Sequence, residues 1–328
     1  MKKHEPQMGF PTPAFLKLAN LLEDRYKLGG RVLAKHEKLP SAVVVIVGAG
    51  ASFSSGMTSW NELKEPVIKT AEDCYRDPRD FIEEAWWKLS PVIGIKDPRW
   101  SEREARQKLM DLASVDMICS VACESVVVGE KIRKLFQDRY GGGPDIHTAG
   151  APPQLGYELL AHFLKHQFID HIITFNFDEV LDTAINNELG QNEYDLILSD
   201  KQLLPRLVPD RPRLIKLHGS ISSPQTLRFT RDDTGALSNE MIKLLDNTLF
   251  IDYQPKRPRA GQRKVHLISL GYSWSDRDFA NWVMARMRYI SSLNIIQLEK
   301  QVPILLRKLG RERNNFINLI STRELSSL

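Results

Sequence analysis

Behind a proline-flanked start, Phe15, Leu18, Leu21 and Leu22 recur at the spacing of one helix face. That pattern predicts a docking helix within an N-terminal helical lead, residues 1–40. The texture then switches. In "SAVVVIVGAGAS", residues 43–47 are five consecutive β-branched aliphatics closed by Gly48. An apolar run without alternation predicts a strand buried on both faces, as parallel sheets require.

From Trp60 to about Phe168 helical amphipathic spacing returns, broken by Pro78, Pro91, Pro98, the "GGGP" of 141–144 and the "APP" from Ala151. No strand pattern stands out there, so residues 61–164 are expected to form a helical insertion. Short aliphatic runs then reappear in "FIDHIITFNFD", "RLIKLHGS", "KVHLISLGYS" and "NIIQLEK". The first three close on polar or glycine-containing turns, as in a doubly wound sheet whose strand C-termini line a ligand crevice. The expected fold is therefore α/β. A Rossmann-like parallel sheet would use residues 41–60 and 165–300, with the helical insertion after its first strand and a helical tail over 301–328.

Composition narrows the picture. With 42% hydrophobic and 26% charged residues the chain matches globular averages, which excludes wholesale disorder, collagen-like and coiled-coil architectures. A net charge of +4 is too small to mark the whole chain as a polyanion binder. The basic stretch "YQPKRPRAGQRK", residues 253–264, reads either as a solvated loop or as a nucleic-acid contact through Lys256, Arg257, Arg259, Arg263 and Lys264. Cys74, Cys119 and Cys123 cannot build a disulfide framework or a four-cysteine zinc site. A reducing, cytoplasmic setting is the expectation. No signal-peptide stretch and no run of about 18 apolar residues appears, so no membrane association is expected.

Four strand ends carry candidate chemistry. After the first, Gly48 and Gly50 allow a tight turn and close approach to a pyrophosphate, whose oxygens amides at a following helix start can bind. Phe53 replaces the third glycine of the dehydrogenase fingerprint. About 20 positions on, where that fingerprint needs an acidic residue, only Asp73 stands, in a helical stretch. Hydride transfer is therefore disfavoured, and a turn without ligand stays open. In "ITFNFDEVLD", Asn176 and Asp178 share one side of an extended segment and Phe175 and Phe177 the other. The polar pair can serve a ribose hydroxyl and an amide donor, or cap a helix. His218 in "IKLHGS" ends a strand immediately before Gly219, where imidazole is either a general base or a structural hydrogen-bonding group. In "ISLGYSWSDRDF", Gly271 permits close approach, Ser273 and Ser275 can donate to phosphate or ribose, and Asp276 or Asp278 can cap the next helix.

Taken in order, "GAGAS", "TFNFD", "KLHGS" and "GYSWSD" resemble the sirtuin (silent information regulator) superfamily, in particular its bacterial sirtuin-like NADase branch from anti-phage defence systems. The resemblance implies that NAD⁺ is a substrate, cleaved between nicotinamide and ribose; no metal is expected. By position it assigns Gly48, Ala49, Gly50 and Ser52 to the pyrophosphate, Asn176 to the ribose, Asp178 to the nicotinamide carboxamide, His218 to general base, and Gly271 and Ser273 to the adenosine side. Protein-deacylating sirtuins carry two cysteine pairs after the His-Gly motif, whereas no cysteine follows Cys123 here, so no zinc module is expected. The deacylase cofactor loop appears as "SGMTSW", residues 55–60, without its Asp, Phe and Arg, and Phe175 stands where deacylases place Gln.

These departures favour water as acceptor. The expected protein is an NAD⁺ hydrolase acting as a regulated effector, self-assembling or controlled by a co-encoded HerA-type ATPase or Argonaute-like partner. A non-enzymatic NAD⁺ or ADP-ribose sensor and an NAD-dependent deacylase or ADP-ribosyltransferase remain the alternatives.

Overall fold

The computed structural model describes residues 13–33, 41–52, 60–96, 101–140, 155–198, 211–230, 237–250, 264–274, 276–297 and 317–321. Its strands are β1 (Ser41–Val47), β2 (His171–Thr174), β3 (Asp195–Ile197), β4 (Arg213–Lys216), β5 (Lys264–Leu270), β6 (Ile290–Gln297) and β7 (Ile317–Ser321). They form one parallel sheet in the order β3-β4-β2-β1-β5-β6-β7. The helices are α1 (Pro13–Leu33), α2 (Lys64–Glu72), α3 (Pro78–Leu89), α4 (Glu102–Leu112), α5 (Val115–Ala122), α6 (Val126–Tyr140), α7 (Leu155–Lys165), α8 (Val180–Leu189), α9 (Asn239–Phe250) and α10 (Arg277–Ala285). Six of them, α2 to α7, lie between β1 and β2. No described helix is long and apolar enough to cross a membrane.

The unbroken aliphatic run of β1 has a simple cause. Val43, Val45 and Val47 pack into a layer built from α1 to α8, while Ala42, Val44 and Ile46 pack into a layer built from α9 and α10. With both faces covered there is no solvent side on which a polar residue could stand. Fully burying each Val or Ile contributes roughly 1.5–3 kcal/mol.

The lead docks through Leu18 and through buried Arg25. Arg25 donates to the carbonyls of Ser41 (2.5 Å) and Gln167 (2.7 Å) and pairs with Asp170 (2.9 Å), whose carboxylate accepts from Val43 N–H. One cation thus ties α1 to the entry of β1 and to the end of α7.

Chain direction places the functional edge. The helices that follow β1 and β2 lie in the α1–α8 layer, and those that follow β4 and β5, α9 and α10, lie in the opposite layer, while Ile221, Leu227 and Phe229 of the β4 loop still pack into the first. The chain therefore changes face between neighbours β1 and β5, the switch point where open α/β sheets hold ligands beyond the strand C-termini.

One expectation needs correction. Residues 301–328 are not simply a helical tail, because β7 pairs with β6 and extends the sheet. The sheet also has an edge strand, β3, whose three residues are too few to show a period. Residues 251–263, nearly all of the basic stretch, and residues 53–59, most of "SGMTSW", lie outside the described residues.

Candidate functional site

The four motifs follow β1, β2, β4 and β5, which are consecutive in the sheet. Their loops therefore meet at one edge. The Gly48 N–H donates to Leu270 O (2.9 Å) and the Gly50 N–H to Gly271 O (3.0 Å), so the loop after β1 lies directly on the loop after β5. Gly271 has φ +57°, and a Cβ there would sit 2.4 Å from Ala51 N. A Cβ on Gly48 would sit 2.5 Å from the Tyr272 Cα. Backbone against backbone leaves no room for a side chain, which accounts for glycine at these positions.

The same contacts correct one detail of the expected anion cradle. β1 is followed directly by a three-residue 3-10 turn, Ala49–Ala51. Ala51 N–H is bonded to Gly48 O and Ser52 N–H to Ala49 O, so the amides of Gly48, Gly50, Ala51 and Ser52 are all spent inside the protein. Ala49 is the exposed residue of this turn.

β2 stops at Thr174, whose Oγ1 accepts Asn176 N–H (3.1 Å) and bends the chain out of the strand. Strand alternation no longer applies beyond it. Phe175 packs into the α9–α10 layer and Phe177 into the opposite layer, where the sequence predicts a shared side. Asn176 and Asp178 nevertheless converge on Ser52. Asn176 Nδ2 donates to Ser52 Oγ (2.9 Å) and to Gly48 O (3.1 Å), and Ser52 Oγ donates to Asp178 Oδ2 (3.2 Å).

A carbonyl can only accept, so the Gly48 contact fixes which end of the Asn176 amide is the nitrogen. Both amide hydrogens are committed. What Asn176 has left for a ligand is the acceptor Oδ1, suited to a hydroxyl group.

Three residues of this centre are not legible as site residues in the sequence. Tyr157, on α7, is buried and shares a 2.6 Å hydrogen bond with Ser52 Oγ. Burial, reinforced by Asp178, pushes its phenol well above the ordinary tyrosine range, so it stays a neutral partner. Lys216, on β4, is fully buried and donates to Asp178 O and to Asp182 Oδ2, each at 2.7 Å. Asp182, on α8, is buried as well.

Burial pushes the carboxyls of Asp178 and Asp182 up, and the Lys216 ammonium pulls both back. Asp178 Oδ1 also accepts Val180 N–H (3.1 Å) at the start of α8. Its two oxygens thus brace Ser52 and a helix start at once. The available sequence signals are a lysine inside an aliphatic strand and an Asp one helical turn beyond Asp178.

His218 is partly buried and its Nε2 lies 3.2 Å from Asp276 Oδ2. Asp276 in turn accepts Phe279 N–H (2.9 Å) and caps α10, so the expected capping role comes with a second one. A carboxylate only accepts, so Nε2 carries the proton and the neutral imidazole keeps its lone pair at Nδ1.

Phe175 supplies the floor, stacked on Tyr272 at 4.1 Å and edge-on to His218 at 5.2 Å. Gly219 holds φ +78° and has Thr226 O 2.2 Å from where its Cβ would be, which explains glycine directly after the histidine. Ser273 is exposed on the β5 loop. Among the described residues no group of three His, Cys, Asp or Glu ligands lies at this site.

A SIR2-like domain model matches residues 170–314. The SIR2-like segment runs from the start of β2 past the end of β6 and includes Asn176, Asp178, His218, Gly271 and Ser273, while the Gly48–Ser52 turn precedes it. No curated protein matches the chain in sequence. Among solved structures, the chain is similar to a crystal structure of Sir2 in complex with the inhibitor EX-527, 2′-O-acetyl-ADP-ribose and a deacetylated p53 peptide. That likeness covers 83% of this chain and 93% of the other at 14% identity, with a TM-score of 0.28.

Proposed function

We propose that this chain is an NAD⁺ hydrolase that releases nicotinamide and ADP-ribose. One observation carries the reading. The acceptor Oδ1 of Asn176 and the Asp276-oriented imidazole of His218 stand on loops after β2 and β4, at the edge where the β1 and β5 loops interlock. The SIR2-like match over residues 170–314 supports an NAD-related activity for the same loops.

The chemistry asks little more of the protein. The bond from nicotinamide nitrogen to ribose C1′ breaks with its electron pair going to the ring, so nicotinamide leaves neutral and the ribose becomes an oxocarbenium ion. Water adds to C1′ and loses one proton. Asn176 would orient a ribose hydroxyl, and His218 Nδ1 would take the proton and pass it to solvent. Tyr157, Ser52 and Asp178 hold Asn176 in place.

An unrestrained hydrolase would drain its own cell of NAD⁺. The proposal therefore includes control, by self-assembly or by a co-encoded HerA-type ATPase or Argonaute-like partner, in an anti-phage effector.

Incubation with NAD⁺ alone separates the readings. Steady nicotinamide release without acceptor is expected, acceptor dependence would mean a transferase or deacylase, and binding without cleavage would mean a sensor. Asp178→Asn keeps the shape and removes the charge. It is expected to raise KM for NAD⁺ by ~10-fold, the size of one charge-assisted hydrogen bond. An unchanged KM would remove the carboxylate from the nicotinamide pocket and leave it only as a brace for Ser52.

A further inference from the structure

Far from the strand C-termini, the last turn of α7 with the residue that follows it, and the last turn of α8, bring His162, His166 and Glu188 together. One possible ligand atom from each lies within 4.8 Å of the others. We propose that these three side chains bind a divalent cation of the zinc class and staple α7 to α8. The proposal does not depend on NAD⁺ cleavage.

The backbone beneath the pair of imidazoles is held in place. His166 N–H donates to His162 O (3.0 Å), which sets the two rings one helical turn apart on one face. Gln167 then takes φ +58° and ends the helix, with Gln167 N–H bonded to Leu164 O (3.3 Å) and Phe168 N–H to Phe163 O (2.9 Å). These are the paired bonds of a Schellman cap, and the Phe163 and Phe168 rings close it at 5.3 Å. Arg25 anchors Gln167 O from the α1 side. Opposite, Gly190 N–H bonds to Asn186 O (3.0 Å) and ends α8 just past Glu188.

The donors suit the ion. His162 Nδ1 is already 3.1 Å from Glu188 Oε1, close to the spacing of two ligands on one metal, and the two imidazole centroids are 4.3 Å apart. The side chains are exposed or half-exposed, so a small rotation of His166 can complete the set. Two neutral imidazoles and one carboxylate form a His₂Glu set, which zinc accepts with water in the fourth position. Glu188 offers a half-exposed carboxylate at the end of α8, within reach of both rings. Lys165 lies 3.3 Å from the same oxygen and is exposed, so its ammonium can swing into water when a doubly charged ion takes its place.

The test uses the full chain, stripped with EDTA and titrated with zinc chloride by calorimetry at mildly alkaline pH, with Tm followed in parallel. One zinc per chain and a rising Tm are expected. His166→Ala, and separately Glu188→Gln, should weaken binding by at least ~10-fold, a loss that even outer-shell partners of a metal site incur. Both variants change exposed or half-exposed side chains and should fold. No zinc binding by the parent overturns the proposal. So does equal binding by the variants, since the ion would then sit elsewhere, for example on Cys74 or Cys123.

Discussion

His218→Ala is expected to cleave NAD⁺ ~10²–10⁴ times more slowly than the parent, the usual contribution of a positioned general base. It should unfold at nearly the same temperature. The imidazole is only partly buried, and its partner Asp276 keeps its second job, accepting the N–H of Phe279 at the start of α10. Asn176→Ala should lose activity as severely for a different reason, because the ribose hydroxyl would lose the acceptor proposed to orient it. Nicotinamide release measured beside a thermal melt checks both variants. Parental turnover in either one would remove that residue from the reacting centre.

Lys216→Met is expected to destabilise the fold by about 3–5 kcal/mol, the cost of leaving a buried charge without its partner. Methionine fills a similar volume, so the loss comes from Asp182 and from the Asp178 carbonyl, both held by the ammonium at 2.7 Å. Burial already pushes both carboxyls up, and without the lysine they rise further. The sign of the pH dependence follows. Carboxyls with a raised pKa in the folded state bind more protons there than in the unfolded chain, so stability falls as pH rises from the unfolded value toward the folded one. The variant's deficit should thus be largest at neutral pH and narrow on acidification. Denaturant melts of parent and variant at neutral and at mildly acidic pH check this, and a pH-independent gap would mean that the carboxyls contribute none of the cost, which would then lie in packing and in the lost bond to the Asp178 carbonyl.

The contrast between Lys216 and His218 shows where sequence reading stops. His218 stands out because an imidazole between a strand and a glycine is unusual. Lys216, two residues earlier, looks like any strand lysine, because a pattern of types does not reveal that both sheet faces are covered at that point. β1 announces its double burial with five β-branched residues in succession. β4 hides a buried cation because its counter-charge, Asp182, comes from a separate helix.

Tyr157 is hidden by distance. It reads as one more apolar position on α7, and only the fold brings its hydroxyl to Ser52, 105 residues away in sequence. The glycines are visible as turn residues, but the reason for them is not. Gly48, Gly50 and Gly271 are required by one loop lying on another, and close approach to a phosphate is not needed to explain them. The split of Phe175 and Phe177 between opposite layers likewise depends on Thr174 ending β2, a hydrogen bond that no periodicity shows.

The interlocked loops after β1, β2, β4 and β5 are proposed to hydrolyse NAD⁺. The most direct measurement quantifies nicotinamide and ADP-ribose from NAD⁺ alone, with parent and Asn176→Ala side by side and no acceptor present. Many turnovers by the parent, with the two products in equal amounts, and none above background from the variant are expected. NAD⁺ left intact by the parent, or nicotinamide formed equally by both proteins, would contradict the proposal.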